Sequence, residues 1–259
     1  MAAAALCLLS LLLGAAVTSG APGFEKLHEI VSSLASVPIA IVGIWMVAKR
    51  PATSEWTKLG WTLLIVVVAE GGLGSFQQTP GLGILHALLG QILVAAMFAA
   101  MVCTGSAWNR DPELVEDHGW PSLGSLGKIT PVFVLGQIAL GAAFRHKAMG
   151  VLPHLMGAMV IVLLILCICI FVMQQFPAHS TLRPCANLLM ALAFAQIFLG
   201  IAAFTVRTMS TISAPVVIAV TSAHASIGAL VLAVAVILQM WIRRHVRPHR
   251  EEQETALSQ

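Results

Sequence analysis

VLPHLMGAMVIVLLILCICIFV, residues 151–172, holds no charged side chain, and its only titratable groups are one histidine near the start and two cysteines near the end. A bilayer's hydrocarbon core takes roughly 20 apolar residues of helix to cross, and this run is long enough. The residues do not alternate apolar with polar, so the run reads as a helix and not as a barrel strand. His154 sits three residues inside it. A ligand-type side chain at the edge of hydrocarbon is costly, and so marks a functional position by default.

Working outward, the same reading recurs along the chain. Apolar runs cover 2–19, 27–47, 59–76, 82–104, 129–144, 151–172, 188–206 and 216–242. The whole chain is 58% hydrophobic and 10% charged, with no tyrosine. Soluble domains carry about a quarter charged residues. The expected fold class is an all-α integral membrane protein with eight transmembrane helices. The net charge of +3 is accounted for by loop charges and gives no reason to invoke nucleic acid.

Loop lysines and arginines set the orientation. With the amino terminus inside, inner segments hold Lys49, Arg50, Lys58, Arg110, Lys128, Arg183, Arg243, Arg244, Arg247 and Arg250, against Lys26, Arg145, Lys147 and Arg207 outside. Both termini are therefore expected in the cytoplasm, with the protein in the cell (inner or plasma) membrane. The first run, with Val17, Ser19 and Ala21 at its end, has the small residues of a signal-peptide cleavage region but lacks a basic start. It is read as a retained helix. Cys7, Cys103, Cys167, Cys169 and Cys185 avoid the outer loops and read as packing residues.

The odd-numbered runs end alike: Ser10-Leu-Leu-Leu-Gly14, Glu70-Gly-Gly-Leu-Gly74, Gln137-Ile-Ala-Leu-Gly141 and Gln196-Ile-Phe-Leu-Gly200. A short outer loop follows each, then a run carrying one histidine: His28, His86, His154 or His224. This pattern predicts two parallel, pseudo-repeated four-helix bundles, residues 1–104 and 128–244. A solvated cytoplasmic connector, 105–127, joins them, and a loose charged tail, 245–259, follows.

Four histidines at one depth, two per half, predict two bis-histidine metal centres, and haem iron suits buried axial imidazoles. Small residues one turn below each (Ser32, Gly90, Gly157, Ala158 and Gly228) leave room for a macrocycle. Lys26 is a candidate propionate partner at the first site, and Arg145, Lys147 and Arg207 at the second; each also reads as an ordinary loop charge. His146 is a further candidate there. His118, His179, His245 and His249 read as solvated inner-face residues. Glu25, one turn before His28, has no counterpart in the second half, where Val151 stands. It reads either as a proton-handling carboxylate or as a helix-start carboxylate favoured by the dipole. Glu70 matches Gln137 and Gln196 and reads as a polar contact between helices.

Eight helices in two halves, one histidine on each even helix, Glu25-Lys-Leu-His28 and Gln137-Ile-Ala-Leu-Gly-Ala-Ala-Phe-Arg145-His146 resemble the heme A synthase family, over nearly the whole chain to Arg244. The resemblance implies oxidation of the C8 methyl of haem o to a formyl group, giving haem a for cytochrome oxidase. It implies that His154 and His224 hold a haem b cofactor, with Arg145 and Arg207 in the cofactor-binding set. It implies that His28 and His86 ligate the substrate haem, with Glu25 as the catalytic carboxylate. A haem o synthase, oxidase assembly factors and the lipid bilayer are the implied partners. Family members carry a longer first outer loop, some with a cysteine pair, and a basic residue after the first histidine; here the loop is 20–26 and Glu29 follows His28. The alternative function is a dihaem electron-transfer or haem-handling membrane protein, which needs the four histidines but not Glu25. A transporter is disfavoured because Pro153 and Pro215 fit helix starts and not breaks. A haem-o-forming prenyltransferase needs paired aspartates, and the only two are Asp111 and Asp117.

Overall fold

A computed structural model of the chain describes residues 1–49, 54–76 and 79–249. Arg50, Arg250 and the tail from 250 onward, all used in the charge argument above, lie outside the described residues. Eight α-helices follow one another: α1 (Ala2–Thr18), α2 (Phe24–Ala48), α3 (Glu55–Leu73), α4 (Pro80–Thr104), α5 (Leu123–Arg145), α6 (Leu152–Gln175), α7 (Leu182–Thr208) and α8 (Ala214–His245). Seven are long and apolar enough to cross a membrane. The eighth, α1, has 17 residues, about 25 Å of helix at 1.5 Å per residue. The chain is thus a helical, multi-pass membrane protein.

Local chemistry explains where the helices start. Ser54 and Ser122 each accept a hydrogen bond from a backbone N–H three residues on, capping α3 and α5. The Ser122 cap extends α5 six residues before the expected start at 129, through Ser125 and Lys128, so this helix is not short. Prolines stand in the first turns of α4, α6 and α8, where no intrahelical donor is lost.

Each of α1 to α4 packs on its successor, and α4 returns to α1; α5 to α8 close in the same way. The two groups meet where α8 lies against α1 and α4, and α4 against α5. Helix α8 is accordingly the most enclosed, with Leu232, Ala233, Ala235 and Leu238 buried. Large apolar side chains such as Leu34, Ile41, Ile65 and Leu163 point outward, as they do in a protein whose solvent is lipid. Small residues bring α2 and α3 into backbone contact: a methyl built on Gly60 would stand 2.9 Å from the Gly43 carbonyl.

The connector and tail differ from expectation. Val115–Asp117 forms a strand, β1, paired in parallel with Val246–Pro248, β2. The tail is therefore not loose over 246–248, and the connector is not simply solvated. Asp117 is 5% exposed and accepts hydrogen bonds from the Gly119 and Leu123 N–H groups. Trp108 packs on Trp241 with ring centroids 4.8 Å apart, and the Arg244 guanidinium lies 4.9 Å over Trp108. His179 and His245 are also buried, not solvated; both face the Glu113 carbonyl, at 3.3 and 3.0 Å. Backbone pairing across 131 residues joins these two elements, with Asp117 the buried member and Glu116, Arg247 and Pro248 exposed.

Candidate haem-ligating site

Each even-numbered helix begins at the end of the bundle away from the connector, and each carries its histidine within its first turns. The structure brings the four together in two pairs. The His28 and His86 ring centroids lie 6.4 Å apart with planes at 75°, and those of His154 and His224 lie 6.3 Å apart at 87°. Both separations leave a gap between the rings. Two imidazoles holding one metal, each at about 2.0–2.1 Å from a ring nitrogen, would have centroids roughly 6 Å apart. The spacing of both pairs fits one metal between them.

What sets each ring is the end of the preceding helix. A methyl on Gly14 would come within 2.9 Å of His28 Cε1, one on Gly141 within 2.9 Å of His154 Cε1, and one on Gly200 within 3.1 Å of His224 Cε1. Three of the four motif glycines thus exist to let an imidazole lie flat against a neighbouring helix. The fourth, Gly74, ends α3 in a 3-10 turn and has open space around it.

The polar residue four positions before each glycine contacts the histidine. The Ser10 carbonyl accepts from His28 Nδ1 at 3.0 Å, and its hydroxyl is 2.7 Å from Ser32 Oγ. Glu70 Oε2 lies 2.9 Å from His86 Nδ1, at ion-pair distance though not aligned as a hydrogen bond. Gln137 Nε2 is 3.0 Å from His154 Nδ1 and donates to its carbonyl at 2.8 Å. Gln196 Nε2 is 3.5 Å from His224 Nε2. Such partners fix the ring orientation and tautomer of metal-binding histidines. At His28 the carbonyl partner can only accept, which puts the proton on Nδ1 and leaves the Nε2 lone pair open. In the second pair a glutamine presents either oxygen or nitrogen after a half-turn of its amide.

A cavity adjoins the first pair, lined among others by Ser10, Gly14, His28, Glu70, His86 and Arg145. The cavity is about 100 Å³ and is open to the outside. Arg145, expected at the second site, reaches this first cavity; it donates to the Ala15 carbonyl and, at 2.7 Å, to Ser19 Oγ of α1. His146 lines the cavity too, and burial, followed by the nearby Arg145 and His86, holds its imidazole below the usual pKa. Arg207 is exposed, 5.9 Å over the Phe144 ring. Glu25, Lys26 and Lys147 are exposed, and Glu25 does not line the cavity.

Several polar atoms around the two pairs lack partners. Glu70 Oε1, Gln137 Oε1, Gln196 Oε1, His224 Nδ1 and Arg145 Nε are buried without a hydrogen-bond partner, a concentration of unsatisfied polar atoms that calls for an explanation at each pair. Glu70 is the residue that sequence reasoning undervalued. Its signal was present, as the acidic member of a set of four polar residues at one helix position. No protein-family model and no curated protein matches the chain.

Proposed function

We propose that the chain is a haem-handling membrane oxidoreductase of the heme A synthase kind, oxidising the C8 methyl of a substrate haem o to a formyl group. The observation that carries this reading is the repeated axial spacing of the two histidine pairs. The two closed groups of four helices are read as duplicated bundles, parallel in the membrane, with both termini cytoplasmic. A periplasm-active reporter fused to the carboxyl end is expected to stay silent.

His154 and His224 are assigned to a resident haem b, which supplies one-electron chemistry when bound. His28 and His86 are assigned to the substrate, because the open cavity lies beside that pair and an exchanging molecule needs an opening. Ser10 holds the His28 imidazole with Nδ1 protonated, and Glu70 stands 2.9 Å from His86 Nδ1. Arg145, which lines the cavity, is assigned to a propionate; Arg207 is exposed at the end of α7. Glu25, exposed in the first turn of α2, is assigned to proton handling.

The asymmetry between the halves favours this over a dihaem electron carrier. A carboxyl group serves His86, whereas an amide serves His224. A carboxylate on a ligand histidine raises its basicity, so the two centres differ in electron demand, as a substrate and a cofactor do. The test is to purify the protein, extract its haems and identify them by mass. Haem b together with haem o or haem a supports the enzyme, and haem b alone in both sites gives the electron-transfer protein instead.

A further inference from the structure

At the connector end of the bundle the β1–β2 ladder builds a second cluster of metal-binding side chains. Glu116 pairs with Arg247 and Asp117 with Pro248. The next step of that register sets His118 opposite His249. Side chains two apart on a strand share a face, so Glu116 and His118 stand on one side of the ladder and Asp117 on the other, where it is buried against the start of α5. One ligand atom from each of Glu116, His118 and His249 lies within 4.8 Å of the other two. Glu116 Oε2 is 2.9 Å from His249 Nδ1, and the His118 and His249 rings are 4.3 Å apart.

We propose that Glu116, His118 and His249 bind a divalent transition-metal ion of the zinc class, fastening the tail to the connector. Two imidazoles and one carboxylate suit zinc, copper or nickel, whereas calcium and magnesium prefer all-oxygen shells. Three protein ligands with water in the fourth position make a tetrahedral zinc site. In it, neighbouring ligand atoms stand about 3.4 Å apart, so the three groups need to close by little more than an ångström, within reach of side-chain rotation. Asp117, holding the Leu123 and Gly119 amides, keeps the connector strand in place while they do. The site stands apart from the four membrane histidines.

The test uses the full-length protein in detergent, with any affinity tag removed, stripped by chelator and dialysed against micromolar free Zn2+. Metal per chain is compared between the parent protein and the His118→Ala/His249→Ala double variant. The parent is expected to hold one more Zn2+ per chain than the variant, with equal haem content. Glu116→Gln is expected to lower affinity by roughly 10- to 100-fold. Amide exchange in the peptide carrying Val246 and His249 is expected to slow on adding Zn2+ to the parent and not to the variant. Equal zinc in parent and variant overturns the proposal. So does exchange that zinc leaves unchanged in the parent, which reduces the cluster to a histidine–carboxylate contact.

Discussion

Gly141 and His154 are in contact: a methyl added to Gly141 would stand 2.9 Å from Cε1 and 3.2 Å from Nδ1 of the imidazole. The ring is the far end of a side chain that can swing away, so Gly141→Ala costs little in folding. It would displace the ring from its place opposite His224. The expected outcome is a well-expressed protein whose low-spin haem at the second pair is lost or weakened by 10- to 100-fold, the usual scale for disturbing a ligand's support. Gly14→Ala does the same at His28. Optical spectra and haem-to-protein ratios check both. A normal low-spin spectrum in Gly141→Ala would falsify the assignment of His154 as a ligand.

The partners at the other ring edge give a paired prediction. Glu70→Gln leaves the first pair with an amide partner like that of the second, and removes the charge beside His86 Nδ1. Haem affinity at the first pair is expected to drop by about tenfold, the lower end for an outer-shell change, while the second pair's spectrum stays as it was. Gln137→Ala reverses the pattern. It strips His154 of the contact at 3.0 Å and is expected to weaken only the second centre. Spectra of haem-titrated variants distinguish them, and equal losses at both centres in either variant rule out separate sites.

The legibility of this chain follows the range of the interactions. Hydrophobic runs declare helices locally, and all eight are where the sequence puts them, with ends shifted by capping serines and prolines. The histidine pairs were legible because the four-fold motif repeats their surroundings, although the reason for the glycines, room for an imidazole, needed coordinates. Arg145 lies near His224, as the sequence places it, but its reach into the first cavity was not legible. Its helix end abuts α1, a contact between segments 130 residues apart that no local pattern reports. The His118–His249 cluster was hidden for the same reason: each histidine alone lies in a polar stretch, and only the strand register joins them.

Packing between α2 and α3 is a separate test of the fold. Methyls on Gly60 and Gly43 would meet, respectively, the Gly43 carbonyl at 2.9 Å and the Gly60 carbonyl at 3.1 Å. Backbone cannot rotate away as a side chain does, so the helices must part. Gly60→Ala is expected to cost about 1–3 kcal/mol, the range for overpacking a filled contact. Gly136→Ala in α5, where nothing lies within 4 Å of the added methyl, serves as the control and is expected to be neutral or to gain up to about 1 kcal/mol from helix propensity. Thermal unfolding in detergent measures both. Equal stability of the two variants contradicts the close approach of α2 and α3.

Glu25 is the last and most specific point. It lies in the first turn of α2, after Gly23, which takes a left-handed φ of 78°. Its side chain is exposed and away from the cavity lining. As a dipole partner it stabilises the helix by only about 0.3–1 kcal/mol, so Glu25→Gln should express and hold haem b as the parent does. As the proposed proton-handling carboxylate, Glu25 would act from outside the cavity lining. Its loss should cut haem a production by on the order of 100-fold, the lower range for a missing general acid–base group, with haem o or a partly oxidised haem accumulating. Haem a output is read by mass in cells supplied with haem o. Normal output from Glu25→Gln removes this carboxylate from the reaction and leaves Glu70, 2.9 Å from His86, as the acidic group at the first pair. A double variant, Glu25→Gln/Glu70→Gln, then decides between them: additive losses on a logarithmic scale mean independent roles, and a double loss no larger than that of Glu70→Gln alone assigns the chemistry to Glu70.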